Sequence, residues 1–175
     1  ADGDQAGSGF GFSVATAGDV NGDGYSDIIV GACNCNNGRP ADGRAFVYLG
    51  SASGLANAPV WTVQGNQAGA RFGASVATAG DVNGDGYADI VVGAHEQDVG
   101  PGHAYLYLGS PGGPVAVPSW TGSNGQYGSR YGLVVASAGD VNGDGYADLA
   151  VGADRYSEGQ FWEGAVYVYY GTATG

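Results

Sequence analysis

Short apolar runs recur along the chain at intervals near sixty residues, separated by glycine-rich polar stretches. Ile28–Ala32 (IIVGA), Ile90–Ala94 (IVVGA) and Leu149–Ala153 (LAVGA) are continuous and apolar, the pattern of a short strand covered on both faces. Each interval holds a second run that mixes aromatic and β-branched residues and runs out into glycine: Ala45–Leu49, Ala104–Leu108 and Ala165–Tyr169. Ahead of the first run stands a strand of small residues, SVATAG twice and then VVASAG. A fourth strand is expected around Trp61 in VWTVQ and around Trp120 in SWTG. No window repeats its apolar positions with the helical period.

The likeness between intervals extends past the strands. Asp19–Asp27 reads DVNGDGYSD and returns as DVNGDGYAD at Asp81–Asp89 and Asp140–Asp148, at spacings of 62 and 59 residues. Upstream lie FGFSVATAG from Phe10, FGASVATAG from Phe72 and YGLVVASAG from Tyr131. A fixed period of this length marks a repeat architecture. Four short strands per repeat predict an all-β chain of β-propeller blades, small residues at the crowded centre and aromatic ones further out. The expected organisation is one propeller segment over residues 1–175, with repeats at about 1–64, 65–124 and 125–175.

The phase of the repeats sets the ends. GDQAGSGFG at Gly3–Gly11 matches GNQAGARFG at Gly65–Gly73, which follows the Trp61 strand. The chain therefore starts after one Trp strand and stops before another, and the last blade is expected to lack its outer strand. Three blades fall short of the roughly four to eight that close a ring. The expectation is half of a six-bladed ring or a fragment of a longer propeller. Its open ends would be completed by self-association or by further repeats.

Composition narrows the classes. There are 17 acidic residues against 5 basic ones, all arginine, for a formal charge of −12. Nucleic-acid binders carry the opposite balance, so no nucleic-acid partner is expected. No apolar run is long enough for membrane insertion. There is no methionine and no visible signal peptide, as in a mature or excised segment. A compact chain at −12 repels itself unless cations bind.

The acidic loops supply cation ligands. Counted from Asp19, side-chain oxygens fall at positions 1, 3, 5 and 9, on Asp19, Asn21, Asp23 and Asp27, and Tyr25 at position 7 can offer its carbonyl. Gly24 at position 6 allows the positive-φ turn that wraps such oxygens around a point. The set recurs as Asp81, Asn83, Asp85, Tyr87 and Asp89, and as Asp140, Asn142, Asp144, Tyr146 and Asp148. Three carboxylates, an amide and a carbonyl are hard oxygen donors suited to Ca2+. Magnesium prefers fewer protein ligands, and zinc would want His or Cys. Position 12 is Val30, Val92 or Val151 rather than the glutamate of an EF-hand. Three ions, one per repeat, would bring the formal charge from −12 to −6.

FG, then AGDVNGDGYxD, then a hydrophobic triplet and GA, resembles the FG-GAP repeat, and the resemblance covers essentially the whole chain. That family builds the calcium-binding β-propeller of integrin α subunits and occurs in bacterial surface proteins. The resemblance implies a structural ion in the hairpin loop between the first two strands of each blade. It also implies an extracellular or cell-surface protein. The chain departs from the pattern where Cys33, His95 and Asp154 replace the usual proline after GA, and where YG replaces the third FG.

Other residues carry less. Cys33 and Cys35 are expected to form a local or intermolecular disulfide or to stay as free thiols. His95–Glu96 and Asp154–Arg155 hold one loop position in successive repeats and read as a solvated rim. Trp61 and Trp120 read as core, and Trp162 as exposed. Glu158 and Glu163 could be cast as a glycosidase pair only with a defined separation. The leading expectation is a non-catalytic, calcium-stabilised module for adhesion, protein–protein interaction or self-assembly. The alternatives are a carbohydrate-binding propeller lectin with a glycan ligand, and the propeller of a polysaccharide-degrading enzyme.

Overall fold

The structure, a computed structural model, describes residues 5–36, 38–95 and 100–175. Eleven strands form three antiparallel meanders, with no helix among the described residues. The first sheet holds β1 (Phe10–Gly18), β2 (Asp27–Ala32), β3 (Arg44–Tyr48) and β4 (Trp61–Gln64) in that order. The second holds β5 (Ser75–Gly80), β6 (Asp89–Ala94), β7 (His103–Tyr107) and β8 (Trp120–Gly122). The third has three strands, β9 (Val134–Gly139), β10 (Asp148–Ala153) and β11 (Ala165–Tyr169). These are propeller blades, and the last has no fourth strand among the described residues, as the phase of the repeats predicts.

Strand register follows the repeat. Gly31, Gly93 and Gly152 stand opposite Ala45, Ala104 and Val166 in the middle pair of each sheet. In the first two sheets the inner strand slips register just before the acidic loop, between Thr16 and Gly18 and between Thr78 and Gly80. That slip turns the chain into the loop and starts the next strand on an aspartate.

The core lies between sheets. The face of each blade toward the following one, here its trailing face, packs on the leading face of that neighbour. Val20, Ile29, Ala45 and Val47 of the first blade share a buried cluster with Phe72, Val76 and Tyr107 of the second. Val82, Val91, Ala104 and Leu106 do the same with Tyr131, Val135 and Leu149 of the third. Each buried side chain of this size contributes about 1.5–3 kcal/mol, so no blade is self-sufficient and stacking is the fold.

Polar contacts fix the register of stacking. The Val76 and Val135 amides donate to Ser13 Oγ and Ser75 Oγ, each at 3.1 Å. The Ala88 and Ala147 amides donate to the Asp19 and Asp81 carbonyls at 2.9 Å. The Ser110 and Thr172 amides donate to the Val20 and Val82 carbonyls at 3.0 Å. The first two acidic loops are thereby tied to the blades that follow them.

One sequence expectation is narrowed and one changes. Cys33 and Cys35 are both unpaired and buried, and burial pushes both thiols up. A disulfide between molecules would need exposed sulfur. His95, expected on a solvated rim, is buried, with Nδ1 lacking a hydrogen-bond partner among the described residues. Burial holds its pKa down at about 4, helped by Arg130 and Arg71 and opposed by Asp154. Asp154 and Arg155 are exposed, and Glu96 lies outside the described residues.

Candidate metal centres

Each acidic loop joins the first two strands of its blade and is closed by its own side chains. Asp19 Oδ1 accepts the amides of Gly22 (2.7 Å) and Asp23 (3.1 Å), and Oδ2 accepts that of Gly24 (2.8 Å). Asp23 Oδ1 accepts the Tyr25 amide at 3.0 Å, and Asn21 Oδ1 accepts the Asp23 amide at 3.2 Å. Asn21 Nδ2 donates to Asp23 Oδ2 at 3.0 Å. The loop can curl this tightly because Gly24 sits at φ +88°, where a side chain would be strained. Asp81, Asn83 and Asp85, and again Asp140, Asn142 and Asp144, repeat the same contacts.

The ninth position does something different. Asp27 opens β2, is buried, and accepts the Val20 and Gly50 amides, both at 2.8 Å. Asp89 takes Val82 and Gly109, and Asp148 takes Val141 and Gly171. These aspartates staple the loop to the end of the third strand. Sequence reading missed the glycine partners, although a glycine recurs after every third strand. Burial raises the pKa of Asp27, against the pull of its two amide donors, and Asp23 and Asp19 raise it further. Burial raises Asp89 to about 6 in the same way, with Asp85 and Asp81 adding to it.

The donor set fits a hard cation. After these hydrogen bonds, Asp19 Oδ2, Asn21 Oδ1, both oxygens of Asp23 and both of Asp27 each keep a lone pair. The Tyr25 carbonyl adds to them. The carboxylates do not converge: no three Asp, Glu, His or Cys side chains are gathered around a metal position among the described residues. The structure brings the first, third and fifth ligand positions together through hydrogen bonds and turns the ninth toward backbone amides.

The tyrosine at position 7 has a second role. Tyr87 covers Gly22 of the preceding loop so closely that a Cβ there would lie 2.7 Å from its ring. Tyr146 covers Gly84 in the same way, at 2.9 Å.

The other candidate residues do not assemble. Glu163 accepts the amides of Glu158 (2.7 Å), Gly159 (3.0 Å) and Gln160 (3.2 Å), which lower its pKa, so it caps its own loop. Trp162 is exposed, but its ring is stacked on Phe161 at 4.5 Å and lies under the Arg155 guanidinium at 4.6 Å. Trp61 is buried against Tyr107 and Trp120 packs on Tyr169, as core residues do.

Comparison with known proteins agrees with the geometry. The FG-GAP repeat model matches residues 72–128 and 131–169, more than half of the chain, and an FG-GAP-like repeat model matches residues 19–92. Integrin alpha-PS2 of Drosophila melanogaster is 38% identical over 172 residues, covering 90% of this chain and 12% of its own length. Integrin alpha-4 of Xenopus laevis is 37% identical, covering 87% of this chain and 15% of its own. Integrin alpha-IIb of Homo sapiens is 39% identical, covering 86% and 15%. The chain thus spans 12–15% of the length of these relatives.

Proposed function

The chain belongs to the FG-GAP repeat family, and on that premise we propose that it is a calcium-stabilised, non-catalytic propeller module for adhesion or protein–protein interaction. We place it outside the cell or at the cell surface, by analogy with the integrin alpha relatives. The observation that carries the reading is the acidic loop, built three times from the same donors.

In each loop the ion would be held by the carboxylates at positions 1, 5 and 9, the Asn amide oxygen and the Tyr carbonyl: Asp19, Asp23, Asp27, Asn21 and Tyr25 in the first. Bound there, it supplies positive charge against three like charges. The residues do the rest. Asp27 ties the loop to Gly50, and the Asp19 and Val20 carbonyls tie it to the next blade. Rigidity of one loop is therefore passed to the neighbouring sheet. The module then presents a fixed surface to a protein partner, and blades beyond these three would complete its ring.

Calorimetric titration of EDTA-stripped protein with CaCl2 tests the reading. Three sites per chain are expected, with a rise in Tm, since each site at a hundredfold excess over Kd adds about 2.7 kcal/mol. An unchanged Tm and no binding heat would overturn it.

A further inference from the structure

We propose that Arg71 and His95 of the second blade, with Arg130 beside them, bind a carboxylate, the acidic side chain of a protein partner. This names the partner's chemistry for the interaction module above and rests on that reading. The site belongs to the middle blade, which has a neighbour from the same chain on either side.

The repeat shows what these two positions do elsewhere. In the third blade the residue before YG is Arg130 and the residue after GA is Asp154, and the two form an ion pair at 2.9 Å. In the second blade the same positions, before FG and after GA, hold Arg71 and His95. The arginine is kept, and an imidazole stands in place of its carboxylate. Among the described residues the Arg71 guanidinium has no ion pair and no hydrogen bond.

His95 does not replace the missing charge. Its ring is buried, and Nδ1 has no hydrogen-bond partner among the described residues. Burial, with Arg130 and Arg71 adding to it, holds its pKa near 4, so the ring is neutral at pH 7. A neutral imidazole carrying its proton on Nδ1 offers a donor and no negative charge. A carboxylate entering here would take the place Asp154 takes in the third blade, and would accept from the imidazole as well. Asp154 also decides among anions, because a carboxylate already fills the equivalent place. A guanidinium fork suits that planar group, with two parallel N–H donors.

The backbone holds both side chains firmly. Arg71 (φ +54°) and Arg130 (φ +58°) are left-handed, where the first repeat has Gly9 (φ +68°). That conformation is costly for any residue with a Cβ and free for glycine, so an arginine kept there points to a use for its side chain. The Arg71 and Phe72 amides donate to the Ala41 and Asp42 carbonyls, each at 3.1 Å, and clamp this segment to the first blade. On the other side, a Cβ on Gly102 would strike the Tyr131 carbonyl and lie 3.0 Å from His95 Cα. The segment carrying Arg130 therefore runs against the end of the His95 strand.

Charge along the sheets favours an acidic partner at this end. Nine of the 17 acidic residues lie in the acidic loops, at one end of the strands. All five arginines lie at the other: Arg39, Arg44 and Arg155 between the second and third strands of a blade or opening the third, and Arg71 and Arg130 just ahead of an inner strand. In a chain of −12, this is the end that repels a carboxylate least.

NMR titration of the full chain in excess calcium at pH 7 tests the site. His95 and His103 are the two histidines, so His103 serves as an internal reference for the His95 ring signals. The probes are sodium acetate and sodium phosphate, each with sodium chloride holding the ionic strength constant. An acetylated, amidated tripeptide with a central glutamate and its glutamine counterpart follow. His95 should shift and saturate with acetate and with the glutamate tripeptide, while His103 stays still and phosphate and the glutamine tripeptide move neither. Arg71→Gly takes the residue of the first repeat at a left-handed position, so it should fold, and should weaken acetate binding roughly ten- to hundredfold. His95→Asp supplies the third blade's carboxylate from within, and the Arg71 side-chain N–H signal should then no longer respond to acetate. An unmoved His95, or an acetate response unchanged in both variants, overturns the proposal. An equal response to phosphate overturns the choice of carboxylate, and binding of acetate without the glutamate tripeptide overturns the protein partner. Calcium binding with a silent His95 would sink this inference alone; a responsive His95 without calcium binding would sink the metal reading alone.

Discussion

The glycine of each GA motif offers a test of blade stacking with an internal control. Gly93 and Gly152 hold the same register position in successive sheets, and neither needs a positive φ. A Cβ on Gly93 would overlap the Gly132 carbonyl oxygen and lie 3.1 Å from its carbon, so backbone must move. On Gly152 the nearest atom is Val134 Cβ at 3.7 Å, an ordinary contact. Relieving the Gly93 overlap takes a retreat on the order of 1 Å, and a gap of that size forfeits a quarter to a half of each dispersion contact across it. The cluster it would open includes Val91, Ala104, Leu106, Tyr131 and Val135. We expect Gly93→Ala to cost about 3 kcal/mol or more, net of the roughly 0.5–1 kcal/mol that alanine gains over glycine in a strand. Gly152→Ala should cost nothing and gain about 0.5 kcal/mol. Urea unfolding followed by tryptophan fluorescence, in calcium and at low micromolar protein, reads both. Equal midpoints for the two variants, or a Gly93→Ala midpoint near wild type, would refute the stacking account.

Three further outcomes follow from named contacts. Asp89→Ala leaves the buried Val82 and Gly109 amides without an acceptor and should destabilise the EDTA-treated protein by about 2–4 kcal/mol, whereas Asp85→Ala should stay within about 1 kcal/mol there and lose only its calcium response, by urea titration. His95 has a folded pKa near 4, below its unfolded value of 6.5, so the folded state binds the proton less and stability is lost as pH falls from 6.5 toward 4. Relative to His95→Asn, wild type should lose about 2–3 kcal/mol across that window, and equal pH profiles would discount the burial argument. Cys33 and Cys35 should resist Ellman's reagent in the native protein and give two thiols per chain in urea; fast native reaction would contradict their burial.

Much of this protein was legible before folding because its information is periodic. Alternation and apolar runs specify strands, and glycine at a fixed place specifies a turn whatever surrounds it. The oxygens at positions 1, 3 and 5 of each acidic loop were readable for the same reason, since spacing alone brings them together. The ninth position was less so. Asp27, Asp89 and Asp148 read as ligands in sequence, and only the fold shows that they also accept amides from the far end of the third strand. His95 was misjudged because neither its burial nor its closeness to the charges of Arg71 and Arg130, which arrive from the segments leading into the second and third blades, is a property of its own segment.

The amino-acid sequence by itself determined the repeat, the strand order within a blade and the charge that calls for a cation, because these are local properties of a short recurring segment. Tertiary structure alone decided which of three near-identical faces are covered. Ala104 and Val166 share a register position, yet one is sealed by the following blade and the other stands in solvent. Burial is a property of the neighbour, and no segment encodes its neighbour's presence.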